Sequence, residues 1–159
     1  MRRVEAALGS GLFLLLAPGV VAGLVPWVLT RWRSGDPPPA LAAVGALLIA
    51  AGVAVLVHAF ARFVLEGRGT PAPVAPTERL VVGGLYRYVR NPMYVAVGAT
   101  IVGQALLLGR PWLLAYAAGF WLVTAAFVRL YEEPTLRARY GEEYDAYRRA
   151  VPAWWPRLR

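Results

Sequence analysis

The chain has 159 residues, 58% of them hydrophobic and only 16% charged, with a mean hydropathy of +0.50; soluble domains carry nearer a quarter charged residues, which excludes an ordinary water-soluble fold. The net charge of +8 rests on 17 arginines with no lysine, so lysine Schiff-base and P-loop chemistry are excluded, and the apolar balance points to an anionic membrane face rather than to nucleic acid. With no cysteine and a single histidine, His58, disulfides, thiolate nucleophiles, thiolate metal sites and a histidine metal cluster are excluded as well.

A membrane-spanning helix needs roughly 20 mostly apolar residues. The first candidate runs from about Val4 to Leu29, with Glu5 near its start and Pro18 and Pro26 inside it. It exceeds the roughly 7–15-residue apolar core of a cleaved signal peptide, so a retained helix is expected. The second runs from about Ala40 to Leu65 and is uncharged until Arg62. The third and fourth, about Pro92–Gly109 and Pro111–Leu130, are parted by the breaker turn Gly109-Arg110-Pro111 and should form a hairpin. The expected fold is an all-α integral membrane protein with about four transmembrane helices. Residues 1–65 supply the first two helices, and residues 66–159 supply a loop, the hairpin and a C-terminal helix.

Arginine placement predicts the orientation. With four spans, the N-terminus, the middle loop and the C-terminal tail share one side. They carry every arginine except Arg31, Arg33 and Arg110. A multi-pass protein with both termini and the middle loop in the cytoplasm is expected. Within the spans, Gly19 and Gly23, and Ala42 and Ala46, lie four apart, as small helix-contact faces do. The mid-membrane polar residues are few. Gln104 is expected to make an interhelical hydrogen bond and His58 to be a satisfied interface residue, which argues against an ion pump and places any chemistry at the cytoplasmic side.

Two cytoplasmic segments are dense in particular residue types. In the middle loop, Thr70 to Pro76 should be extended because of its prolines, and Leu80 to Val82 is a short apolar run ended by Gly83-Gly84. Asn91-Pro92 has the form of an N-cap followed by proline at the first helical position, so Asn91 alone reads as a cap. After the fourth span, Leu136, Tyr140, Tyr144, Tyr147 and Val151 fall on one helical stripe. With Trp154-Trp155 behind it, this predicts an amphipathic helix lying in the headgroup layer. Glu132 and Glu133, taken alone, read as a solvated acidic helix start.

Taken together, Gly84-Leu-Tyr86-Arg-Tyr-Val-Arg90-Asn91-Pro92-Met93-Tyr94, the hairpin, Glu132-Glu133 and Tyr140-Gly-Glu-Glu-Tyr144-Asp-Ala-Tyr147 resemble the isoprenylcysteine carboxyl methyltransferases. The related membrane phospholipid methyltransferases share part of the pattern. The resemblance covers roughly Gly67 to Pro156. It implies a cytoplasm-facing S-adenosylmethionine site lined by Glu78, Arg79, Leu80 and Val81, by Tyr86, by Asn91, Pro92, Met93 and Tyr94, and by Glu132. It also implies an arginine about one turn before the glutamate that positions substrate; the nearest match is Arg129, three residues before Glu132. The commonest family motif has histidine where this chain has Asn91, and asparagine does not titrate near neutral pH.

These residue types suit methyl transfer. An in-line displacement at a sulfonium methyl depends above all on positioning. Carboxylates and tyrosine faces suit a cation or a ribose, and arginine suits a carboxylate acceptor. The soluble methyltransferase architecture is disfavoured, because no G-x-G-x-x-G turn is present and four spans leave no room for a Rossmann sheet. The sequence therefore predicts an integral membrane methyltransferase using S-adenosylmethionine on a lipophilic small molecule or lipid drawn from the bilayer. Carboxyl O-methylation of a prenyl-cysteine-like acceptor stands first, with phospholipid amine N-methylation as the alternative. A non-catalytic membrane scaffold or transporter subunit is the reading from a different class.

Overall fold

The structure is a computed structural model that describes residues 3–67 and 77–157, the side chains of Arg3 and Ala6 excepted. The expected extended stretch 70–76, and Arg68, lie outside the described residues. Among those described, the elements are helical. The first span is α1 (Arg3–Leu16), a π-helical turn (Val20–Leu24) and α2 (Val25–Thr30). α3 (Pro39–Arg62) is the second span, continued by a π-helical turn, Phe63–Gly67. α4 (Pro92–Leu108) and α5 (Trp112–Phe127) form the expected hairpin, closed by Gly109 at φ +61°. Three helical stretches, 7–30, 39–66 and 112–140, are long and apolar enough to cross a membrane. The 17 residues of α4 reach only about 25 Å at 1.5 Å each, so α4 is a short span.

The break in the first span has an identifiable use. Pro26 has no N–H, so the Ala22 carbonyl one turn earlier lacks its helical donor. The Val25 N–H goes to Val20 in the π turn, which frees the Val21 carbonyl too. Gln104 Nε2 donates to Ala22 O at 2.6 Å and the Tyr116 hydroxyl to Val21 O at 2.6 Å. The interhelical bond expected of Gln104 is present, and it ties α4 to the first span at a site the proline opened.

α3 and α4 make the most extensive helix contact, and glycines set their spacing. A Cβ on Gly45 would lie 2.5 Å from the Gly103 carbonyl, and one on Gly52 would meet Ala96 O at 2.8 Å. Two of the four small residues expected to do this do not. Ala46 is exposed, and a Cβ on Gly23 would meet nothing within 4 Å. Spacing alone does not distinguish a lipid-facing small residue from a packed one, because both are apolar.

At one end of the bundle, the Gly35 N–H donates to Leu108 O at 2.7 Å and Arg110 Nε to Arg33 O at 3.2 Å. Arg31, Arg33 and Arg110 thus share an end. The opposite end holds residues 77–91, α6 (Glu133–Tyr140) and α7 (Glu142–Ala150). The expected single C-terminal helix is broken in two at Gly141, whose φ of +57° suits glycine. Its tyrosine stripe turns inward: Tyr144 and Val151 are buried and Tyr147 is half-buried against the loop. The motif loop offers this stripe backbone carbonyls and a guanidinium, which satisfy buried phenols as headgroups would.

Candidate active site

The site end is built from three chain segments. Gly83-Gly84 turns the loop, with Gly84 at φ +59°, into a 3-10 turn, Gly84–Arg87. Glu66, at the end of the second span, holds that turn by accepting from Val82 N–H at 3.2 Å and Gly83 N–H at 3.0 Å. Nothing at a sequence separation of 16 or 17 residues announces this bond, and Glu66 was not among the expected site residues. Tyr86 then falls into a buried cluster with Ala59 and Val81, packed by Phe63, Met93 and Tyr147. The Tyr147 hydroxyl donates to Tyr86 O at 2.7 Å. Burial raises the Tyr86 phenol well above its ordinary range, with smaller contributions from Tyr147, Glu132 and Tyr94 nearby. Burial raises Tyr147 likewise. Both stay neutral donors at any physiological pH.

The second segment is Arg90-Asn91 at the start of α4. Asn91 is at the N-cap position, but its side chain makes no capping bond. Its Nδ2 donates instead to Ala153 O at 3.1 Å, and its N–H donates to the same carbonyl at 3.2 Å. The cap expected from the Asn-Pro pattern is thus replaced by a clamp on the C-terminal tail. Arg90 extends the clamp, donating through its N–H to Pro152 O at 2.9 Å and through Nε to Val151 O at 3.0 Å. One of its terminal nitrogens also meets Glu133 at 2.7 Å and the Tyr144 hydroxyl at 3.0 Å.

The third segment is the π-helical turn Val128–Glu132 that ends the fourth span. Such a turn shifts the helical register, and two adjacent acids part company here. Glu132 accepts from the Tyr94 hydroxyl at 3.0 Å. Glu133 pairs with Arg90 and, at 3.4 Å, with Arg148. The Arg90 and Glu133 side chains are only 11% and 14% exposed and Glu132 is half-buried, so neither acid is the solvated helix start that the pair resembles in isolation. Below them, Tyr140 donates to Thr77 O at 2.8 Å, which fastens α6 to the loop at Thr77.

Of the expected cofactor residues, the structure gathers Tyr86, Met93, Tyr94 and Glu132, with Val81 packed against Tyr86; Leu80 is buried too. Asn91 and Pro92 are buried at the head of α4. Glu78 and Arg79 are exposed. Arg129 is exposed on a cleft with Glu133 and Arg148, which neither Tyr94 nor Glu132 lines. Arg90, Glu133 and Tyr147, which carry the tail, sit inside the motifs but gave no sign of their partners. The described residues contain no group of three or more His, Asp or Glu placed to hold a metal ion.

This geometry has a counterpart among known sequences. A family model for phospholipid methyltransferases matches residues 41–143, well over half the chain. The chain belongs to the phospholipid methyltransferase family. The matched stretch of this phospholipid methyltransferase family member begins in α3 and contains Glu66, Tyr86, Arg90, Asn91, Tyr94, Glu132 and Glu133. The chain is also similar to the protein-S-isoprenylcysteine O-methyltransferase of Schizosaccharomyces pombe, 33% identical over 78 residues. That alignment covers 48% of this chain and 33% of the relative, so the chain matches about a third of that protein's length. No solved structure matches.

Proposed function

We propose that the chain is an integral membrane methyltransferase that uses S-adenosylmethionine to methylate a lipophilic acceptor, with its site at the Tyr94–Glu132 end of the bundle. The observation that carries this reading is the 3.0 Å bond between Tyr94 and Glu132. It joins the start of one span to the end of the next, where two separate sequence motifs meet. S-adenosylmethionine, when bound, supplies an electrophilic methyl on a cationic sulfonium. The donor set fits such a group. Glu132 spends one acceptor position on Tyr94 and, as a carboxylate, has others left. Tyr94 adds an aromatic face suited to a cation or a planar base, and Tyr86 packs in the buried cluster.

In this reading Glu132 holds the cofactor by charge and hydrogen bonding, and Tyr94 fixes the rotamer of Glu132. Leu80, Val81 and Met93 form the apolar wall, while Glu78, Arg79, Asn91 and Pro92 border the site. Asn91 acts through the tail it clamps. Arginine placement supports a cytoplasmic site and cytoplasmic termini. The acceptor we favour is a carboxylate on a prenyl-cysteine-like molecule, in keeping with the Schizosaccharomyces pombe relative. A carboxylate is already nucleophilic and asks for no general base; the one histidine, His58, lies outside the motifs in sequence, and its Nε2 sits against Gly84.

The test is to supply methyl-labelled S-adenosylmethionine to membranes with and without the chain, then to treat the labelled lipid with alkali. A carboxyl methyl ester releases volatile methanol, whereas an N-methylated headgroup keeps its label. Label that resists alkali would move the acceptor to a phospholipid amine. No label above the control membranes would end the methyltransferase reading.

A further inference from the structure

Two clefts adjoin one another at the end of the fourth span. The first, of about 420 Å³, is lined by Arg129, Glu133, Pro134, Arg137, Ala138 and Arg148. The second, of about 300 Å³, shares Arg129, Glu133 and Arg148 and adds Ala125, Val128, Ala153 and Trp154. They form one groove with an apolar end and a basic end.

Its charges do not balance. Glu133 is the carboxylate of the groove, and its closest partner is Arg90 at 2.7 Å, with Arg148 second at 3.4 Å. Arg137 is matched by Asp145 at 2.7 Å. Arg129 has no ion-pair partner among the described residues. Of the lining residues, Arg129 and Arg148 face one carboxylate, Glu133, which Arg90 already engages from outside the groove, so positive charge is left facing the groove.

The surroundings say where the groove opens. The same stretch of helix leaves Leu122 and Val123 71% exposed and Leu130 77% exposed, the mark of a lipid-facing surface. Trp154 closes the apolar end, its ring 4.8 Å from that of Trp121, and tryptophans gather at membrane–water boundaries. A ligand fitting this groove has a negative head, a form that the arginine fork holds through two oxygens, and an apolar tail along Ala125 and Val128.

We propose that the groove binds the phosphate-bearing headgroup of an anionic phospholipid from the surrounding leaflet, as a resident lipid separate from any methyl acceptor. Arg129 and Arg148 hold the phosphate, and one acyl chain lies against Ala125, Val128 and Trp154. A zwitterionic lipid brings its own cation and leaves the surplus charge unanswered. The inference concerns the groove alone and holds whether or not the chain transfers methyl groups.

Native mass spectrometry of the full chain, released from phosphatidylcholine micelles titrated with phosphatidylglycerol, tests it. Phosphatidylglycerol should be retained saturably over phosphatidylcholine. Changing Arg129→Gln together with Arg148→Gln should weaken retention about 25-fold, taking about fivefold per arginine next to an anionic lipid. Arg31→Gln at the opposite end, where Arg31 lies over Trp27 at 4.9 Å, should leave it unchanged. Melting in phosphatidylcholine alone checks folding. If the double variant does not fold, Arg129→Gln should lose about fivefold and Arg129→Lys should keep most of the binding. Equal retention of the two lipids, or an equal loss in Arg31→Gln, would overturn the site. Displacement by glycerol 3-phosphate at the same concentration would overturn the lipid and leave a soluble phosphate ligand.

Discussion

The Tyr94 hydroxyl in the first turn of α4 donates to Glu132 at 3.0 Å, across from the π-helical end of the fourth span. One residue further on, Glu133 turns away to Arg90 at 2.7 Å. Adjacent carboxylates therefore part: Glu132 accepts from Tyr94, and Glu133 secures the tail.

Glu132→Gln is expected to impair S-adenosylmethionine binding while leaving the fold intact. Loss of a hydrogen bond to a charged group costs about 1.5–3 kcal/mol, or roughly ten- to a hundredfold in affinity. Tyr94→Phe should lose less, because it removes the bond that orients Glu132 and not the carboxylate itself. Calorimetric cofactor titration beside melting curves checks both. Wild-type affinity in Glu132→Gln would remove Glu132 from the site.

Arg90→Gln should be strongly destabilising, although Arg90 lies in a loop, because its side chain is only 11% exposed. It strips a mostly buried carboxylate of its nearest cation and drops hydrogen bonds to Tyr144 and Val151. Breaking a buried pair costs about 3–5 kcal/mol, and Arg148 at 3.4 Å should hold the loss to the lower end. Protease cleavage within residues 142–157, faster in the variant than in the wild type, is the readout. Arg90→Gln and Glu133→Gln together should be milder than Arg90→Gln alone.

Asn91 offers a ranking. As a cap it would accept Asp and Ser freely, since all three residues cap well. As the donor to Ala153 O, it should not accept Asp, whose carboxylate would face a carbonyl. Asn91→Asp should lose about 1–3 kcal/mol, and Asn91→Ser should fall between it and the wild type. Melting temperatures in one detergent decide; an Asp variant as stable as the wild type would restore the cap.

Gln104→Leu should cost about 0.6–2 kcal/mol, the range of interhelical hydrogen bonds in membranes. If the proline is what frees the Ala22 carbonyl, Pro26→Ala restores a backbone donor and should relieve much of that loss. The paired variants, measured by unfolding in the same micelles, should be clearly non-additive. Additive losses would mean that Gln104 acts elsewhere.

What the sequence determined alone was everything carried by local composition. Four apolar runs, their proline and glycine boundaries and the segregation of arginine defined the spans and the hairpin, because a bilayer admits only helices whose backbones are internally satisfied. The order of Tyr86, Asn91, Tyr94 and Glu132 around that hairpin was enough to suggest a family. What only the tertiary structure decided was which polar atom meets which. The clamp of Asn91 on Ala153, the parting of Glu132 from Glu133, the hold of Glu66 on Gly83 and the inward turn of the tyrosine stripe all join segments from 17 to 63 residues apart or neighbours of opposite fate. Gly45 and Gly103 became the α3–α4 contact while Gly23 did not, because in lipid both faces of a helix are apolar. Only the position of a second helix makes the missing side chain matter.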